Sequence, residues 1–455
     1  MRGLAASNAP SWSLPSRYFA GGMIFWLMAM SLLLADPGML TGRLLLAPRV
    51  LAVVHLTTLG WLTMVMQGAL YQLLPVVLQT RMHSEFRGKV TFYAYTAGVA
   101  TMALGFWYQQ TAALVLGGIL VAVVLIGFVD NAFRTLWRAR PWDIHGKYLA
   151  AAMICLGLVS LLGVSLLLAK AGIGFTRTRS LSHLGMHVYL GAGGWFSFLL
   201  VGVSYKLVPM FTLVHDAPGK NAERVLVLMI AGMCGALLAI GFHWDSLLLA
   251  APFGLYLSGL LLYVWDMSGI YRRRFRRTPD LSLEATLFGL LLLAILVVAT
   301  GALAAAELFW RRDGIWISSP QTGALGALLL WGVFSGVLWS QLYKIVPFLV
   351  WLHRYSKRVG QQKVPAMQDL VRPKVDRWYL AAHYTGALIT ALGMLSMQTF
   401  LAWIGVLVMA LGGLGLAGRL FGLMVAGGGE ERDRQTRQGE HLQSFVERDR
   451  PGTQL

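Results

Sequence analysis

Long apolar runs constrain this chain more than any other feature. A helix crossing a hydrocarbon layer needs about 20 mostly apolar residues, because its backbone polar groups must be satisfied within the segment. Twelve segments qualify, at about 18–36, 50–79, 90–108, 111–133, 146–170, 181–213, 222–242, 245–267, 282–307, 320–350, 377–397 and 398–425. Of the 455 residues, 57% are apolar and 13% are charged. That is roughly half the charged share of a soluble globular chain. The pattern predicts an all-α polytopic membrane protein and excludes a soluble enzyme, a disordered chain and a secreted disulfide scaffold. Both cysteines, Cys155 and Cys234, lie inside apolar runs, so neither a disulfide framework nor a CxxC metal site is expected. The first segment lacks a small-residue cleavage site and is long enough to span, so no cleavable signal peptide is expected.

The 38 Lys and Arg against 20 Asp and Glu give a formal net charge of +18. The basic residues sit in short loops between apolar segments, a pattern of membrane orientation rather than of nucleic-acid binding. One set of loops is rich. It holds Arg81, Arg87 and Lys89; Arg134, Arg138, Arg140 and Lys147; Lys220 and Arg224; Arg272 to Arg277; and the stretch from Arg354 to Arg377. The alternate loops hold Arg43, Arg49, Lys170, Arg177, Arg179, Arg311 and Arg312. The positive-inside rule puts the rich set, and both termini, in the cytoplasm. The expected organisation is an N-terminal cytoplasmic segment (1–17), a membrane domain (18–425) and a polar, disordered tail (426–455).

Segments 2, 6 and 10 are the longest and share a pattern. Gly60-Trp61, nine residues, then Tyr71-Gln72-Leu73-Leu74-Pro75 is matched by Gly194-Trp195, nine residues, and Tyr205-Lys206-Leu207-Val208-Pro209. It recurs as Gly332-Val333, nine residues, and Tyr343-Lys344-Ile345-Val346-Pro347. The prolines are 134 and 138 residues apart, with four segments in each interval. Three pseudo-repeats of four helices are expected, at about 18–133, 146–267 and 282–425, with the long helices innermost.

Ionisable residues inside a membrane are costly and are functional candidates. His55 lies about one and a half turns into segment 2 among Val53, Val54 and Leu56. His183 and His187 open segment 6 and share a helix face. Adding the repeat interval to His55 gives position 189, so His55 and His187 fall at nearly one depth, and His243 at the outer end of segment 7 joins that layer. Neutral imidazole suits haem iron or copper. The competing reading is interfacial histidines that bond neighbouring helices or face headgroups. His383, early in segment 11, reads as a packing residue near the cytoplasmic face. Lys206 and Lys344 read as snorkelling lysines. Asp130, Asp266 and Glu307 read as solvated helix-end acids, so no carboxylate-lined ion path is visible.

Twelve helices in three fours, long helices 2, 6 and 10, and His55-Leu-Thr-Thr-Leu-Gly-Trp followed by Tyr-Gln-Leu-Leu-Pro resemble subunit I of the haem–copper oxidase superfamily. The likeness is to the cytochrome c oxidase and nitric oxide reductase branches. It implies His55 as an axial ligand of a low-spin haem, and His183 or His187 as a copper ligand. It also implies a His-His pair on helix 7 and two histidines on helix 10. Segment 7 has His243 alone, and segment 10 has Ala327 at the matching position and no histidine within the span. A full dinuclear centre is therefore not expected.

The leading expectation is a membrane redox protein binding haem b, with copper as a further cofactor, linked to respiratory electron transfer or to oxygen or nitric oxide chemistry. His55 is an axial ligand, His187 with His183 the second ligand or a copper site, and His243 a further metal candidate. Implied partners are the bilayer of a bacterial inner membrane, quinol or a c-type cytochrome, and further oxidase-like subunits. The alternatives are a transporter, a metal-handling or assembly protein, or a nitric oxide-response protein that binds haem and copper without turnover.

Overall fold

The structure is a computed structural model that describes residues 10–42, 45–173, 180–214, 220–243, 246–275, 278–310 and 320–448. Helices are the regular structure among the described residues. Ten of them are long and apolar enough to cross a membrane: α1 (Ser13–Ala35), α2 (Pro48–Val76), α4 (Thr111–Arg138), α5 (Ile144–Lys170), α6 (Leu181–Thr212), α7 (Asn221–Gly241), α8 (Leu248–Arg272), α9 (Leu281–Ala306), α10 (Pro320–Arg354) and the apolar part of α12 (Thr399–Val425). Two more, α3 (Glu85–Trp107) and α11 (Pro373–Leu395), complete twelve. Both open on charged turns, Glu85-Phe-Arg87 and Lys374-Val-Asp376-Arg377, which lowers their mean hydropathy. The last helix continues from Thr399 to Arg448, into the polar tail.

Neighbours in sequence are neighbours in space. The pairs α3–α4, α7–α8 and α11–α12 are tight hairpins, and α1 packs against α12, closing the ring. Apolar attraction between helices is weak in lipid, so close backbone approach must hold such pairs. A Cβ on Gly105 would lie 2.4 Å from the Leu114 nitrogen, and one on Gly393 would lie 2.3 Å from that of Ala402.

The three long helices α2, α6 and α10 are the most buried spans, at 67%, 56% and 61%. Each carries an eight-residue π-helical stretch: Leu56–Thr63, Tyr189–Phe196 and Leu328–Ser335. A π turn shifts the hydrogen bonds to i→i+5 and leaves carbonyls in need of partners. Buried side chains on neighbouring helices supply donors. Tyr95 Oη donates to Leu59 O at 3.1 Å, Tyr256 Oη to Gly193 O at 2.6 Å, and a His383 ring nitrogen to Trp331 O at 3.0 Å. These carbonyls are again 134 and 138 residues apart. Indoles then tie the long helices together. Trp61 Nε1 donates to Ser335 Oγ (3.0 Å), Trp195 Nε1 to Thr63 Oγ1 (3.1 Å) and Trp331 Nε1 to Thr57 Oγ1 (3.4 Å). Phe196 and Phe334 meet at 5.4 Å between α6 and α10.

Candidate functional site

His55 ends the α-helical first turns of α2, immediately before its π stretch. Its Nδ1 is 2.7 Å from the Leu51 carbonyl, one turn back. A carbonyl only accepts, so Nδ1 carries the proton and Nε2 keeps its lone pair. His187, just before the π stretch of α6, repeats the arrangement across helices: its Nδ1 is 3.1 Å from the Val159 carbonyl of α5. Its Nε2 is likewise left with a lone pair. The two ring centres are 6.4 Å apart and inclined by 32°. Two imidazoles on opposite sides of one transition-metal ion have ring centres at most roughly 6.3 Å apart, from metal–nitrogen bonds of about 2.0–2.1 Å and about 1.1 Å from each nitrogen to its ring centre, and about 5 Å apart at a tetrahedral angle.

The surroundings of the pair are apolar. His55 stacks on Phe106 at 5.0 Å, within a small cluster of Ala52, Met102, Phe106, Leu114 and Leu167. Gly163 leaves room for the other ring, since a Cβ there would lie 3.3 Å from His187 Cε1.

The remaining candidates stand apart from this pair. His183 has a buried Nδ1 without a hydrogen-bond partner and no ring contact with His187. His243 is exposed, has φ +54°, and lies 3.3 Å from Ser182 Oγ through its Nδ1. Among the described residues, no three of His, Cys, Asp and Glu come together as a metal site.

Position 327 on α10 is a buried alanine. Below it, aromatic rings fill the space between α1, α2 and α10: Trp61 lies on Trp339 at 4.4 Å and Trp26 on Trp339 at 5.5 Å. His383 completes this cluster, 5.9 Å from Trp26. It is fully buried, ten residues after Pro373, where α11 begins. Ten residues are about 15 Å of helix, so His383 belongs to the middle of the bundle and not to the end expected to face the cytoplasm. Because α11 begins within a charged stretch, a reading by hydropathy starts it too late.

The acidic residues divide. Asp130 is partly exposed and paired with Arg87 (2.9 Å) and Arg134 (2.8 Å). Asp266 is buried rather than solvated, accepting from Tyr205 Oη at 3.1 Å and Asn221 Nδ2 at 3.2 Å. The side chain of Glu307 and residues such as His215 lie outside the described residues. Sequence reasoning misses Asp376, which is buried and accepts from Tyr343 Oη (2.8 Å), the Arg372 amide (2.8 Å) and Arg419 Nε (3.2 Å). The available signal is Arg419, a lone charge within the last apolar run.

No family model and no curated protein sequence matches the chain. Solved structures do. A chain of a haem–copper terminal oxidase dimer, determined by cryo-electron microscopy, is similar over 91% of this chain and 82% of its own, with a TM-score of 0.64 and 10% sequence identity. This chain has the fold of that oxidase. It is a multi-pass membrane protein of oxidase-like fold, whose bilayer contact follows from the ten apolar spans among the described residues.

Proposed function

We propose that this chain is a haem b-binding redox protein of a bacterial cytoplasmic membrane, with His55 and His187 as the two axial ligands. The observation that carries the reading is the neighbouring pair, with ring centres 6.4 Å apart and both Nδ1–H groups already engaged. The donor set fits haem better than a bare copper ion. Copper needs further protein donors, and His183 and His243 stand apart. His55 and His187 would both hold a haem iron, and a bound haem would supply one-electron transfer there.

The chain's own part is orientation and exclusion of water. The Leu51 and Val159 carbonyls fix the tautomer and the rotation of each ring. Neither Nδ1–H meets a carboxylate, which keeps both ligands neutral imidazoles. Phe106 and its apolar neighbours shield His55 from water. Electrons come from quinol, a c-type cytochrome or a further oxidase-like subunit.

The scaffold reads as three pseudo-repeats of four helices. Support comes from the equal register of the three Gly/Tyr/Pro patterns, the three π stretches and their three captured carbonyls. The basic loops support cytoplasmic termini.

The test is a reduced-minus-oxidised spectrum with haem and copper quantified per chain, on wild type, His55→Ala and His187→Ala. The reading expects one haem b per chain, no stoichiometric copper, and loss of haem in both variants. Wild-type protein without haem overturns it and moves the weight to transport or assembly.

A further inference from the structure

The aromatic cluster between α1, α10 and α11 holds three polar atoms that its own packing does not serve. Among the described residues, Nε1 of Trp26, Nε1 of Trp339 and Nδ1 of His383 are buried without a hydrogen-bond partner. All three side chains are 0% exposed. Their rings adjoin: Trp26 lies 5.5 Å from Trp339 and 5.9 Å from His383, centre to centre. Indoles elsewhere in the bundle find partners. Trp61, Trp195 and Trp331 donate to hydroxyls, and Trp142, Trp351 and Trp403 donate to backbone carbonyls. An unpartnered buried polar group is destabilising, and three in one cluster call for a shared partner.

The chemistry of the three atoms defines that partner. His383 donates its Nε2–H to the Trp331 carbonyl at 3.0 Å, so its Nδ1 keeps a lone pair. An indole nitrogen only donates. The cluster therefore offers two N–H donors and one acceptor, all neutral. An anion would find no counter-charge and would meet the Nδ1 lone pair. A cation would meet two N–H groups, and an apolar molecule would pair with none of the three. Trp26 and Trp339 are nearly perpendicular, at 87°. One of them at most can aim its N–H at the face of the other, and a ring face is a weak acceptor.

We propose that this cluster binds one internal water molecule, which accepts from Trp26 and Trp339 and donates to Nδ1 of His383. A buried water typically makes about three hydrogen bonds, to groups that the protein otherwise leaves over. The water ties α1, α10 and α11 together at mid-bundle. It also gives a reason for the histidine. Tyrosines serve the π-stretch carbonyls of Leu59 and Gly193, whereas the imidazole that serves Trp331 keeps a second nitrogen for the water. The site does not depend on the haem reading.

The experiment is X-ray footprinting of the full chain in detergent, read by mass spectrometry. Hydroxyl radicals formed from a bound water modify the side chains beside it, buried or not. Trp195 is the control, because it is as buried as the cluster and its N–H is bonded to Thr63. Trp26 and Trp339 are expected to be modified more than Trp195. Trp339→Phe keeps an aromatic ring but removes one donor, and should bring modification of Trp26 down to the level of Trp195. Equal modification of Trp26, Trp339 and Trp195 in the wild type overturns the proposal, and so does unchanged modification of Trp26 in Trp339→Phe. Exposed Trp378 reports the radical dose, and a rise at Trp195 in the variant would report loss of fold, in which case the wild-type comparison decides.

Discussion

At the scale of single residues, the chemistry turns on which imidazole nitrogen is free. His55 and His187 each give a proton to a backbone carbonyl and so each present a lone pair. His183 and His243, four residues before His187 and at the end of α7, take no part in the pair. His183→Ala and His243→Ala are therefore expected to keep the haem content of wild type, measured by pyridine haemochrome, while His55→Ala and His187→Ala lose it. Haem loss in His183→Ala equal to that in His187→Ala would contradict this assignment. The His55–His187 partnership is legible in the sequence, because the repeat interval brings them within about one turn in depth. Their supports are not legible. Phe106, Val159 and Gly163 are ordinary residues of apolar helices, and only the packing brings them to the rings.

At the scale of elements, hydropathy finds the helices but misjudges their polar ends. Ser84 caps α3 by accepting from the Arg87 amide, and Asp143 caps α5 through Gly146. Such caps let helices run into charged stretches that an apolar window leaves out. Hydropathy is also blind to the π stretches, because i→i+5 pairing leaves no mark in apolarity. Tyr256→Phe removes the donor to the Gly193 carbonyl. It should destabilise the folded protein by about 1 kcal/mol, since hydrogen bonds between membrane helices are worth roughly that. Unfolding in mixed micelles measures it, and an unchanged midpoint would contradict the role given to the tyrosine. Gly393→Val sets a branched side chain against the Ala402 backbone. It should separate α11 from α12 and lower thermal stability by more than Tyr256→Phe does, read in the same detergent.

At the scale of the whole molecule, the fold matches the oxidase while the ligand set departs from what the resemblance implies. The tenth helix offers alanine where a ligand would stand, and tryptophans pack between it and the second helix. The pairing that remains joins α2 to α6. Orientation belongs to this scale too. A green fluorescent protein fused after Leu455 should fluoresce and an alkaline phosphatase fused there should be inactive. The reverse pattern would contradict cytoplasmic termini. The broad architecture is legible in the sequence because apolar length and loop charge are properties of whole segments. The buried Asp266 and the Asp376–Arg419 pair are not, because burial of a helix end depends on which neighbour covers it.

Whether two histidines hold one iron can be read from electron paramagnetic resonance of the oxidised protein. Wild type should give a low-spin ferric signal characteristic of two imidazoles, without a high-spin component. Adding imidazole to His187→Ala should restore that signal. A wild-type spectrum dominated by high-spin iron, or a low-spin signal that survives in His187→Ala without added imidazole, would rule out ligation by His55 and His187 together.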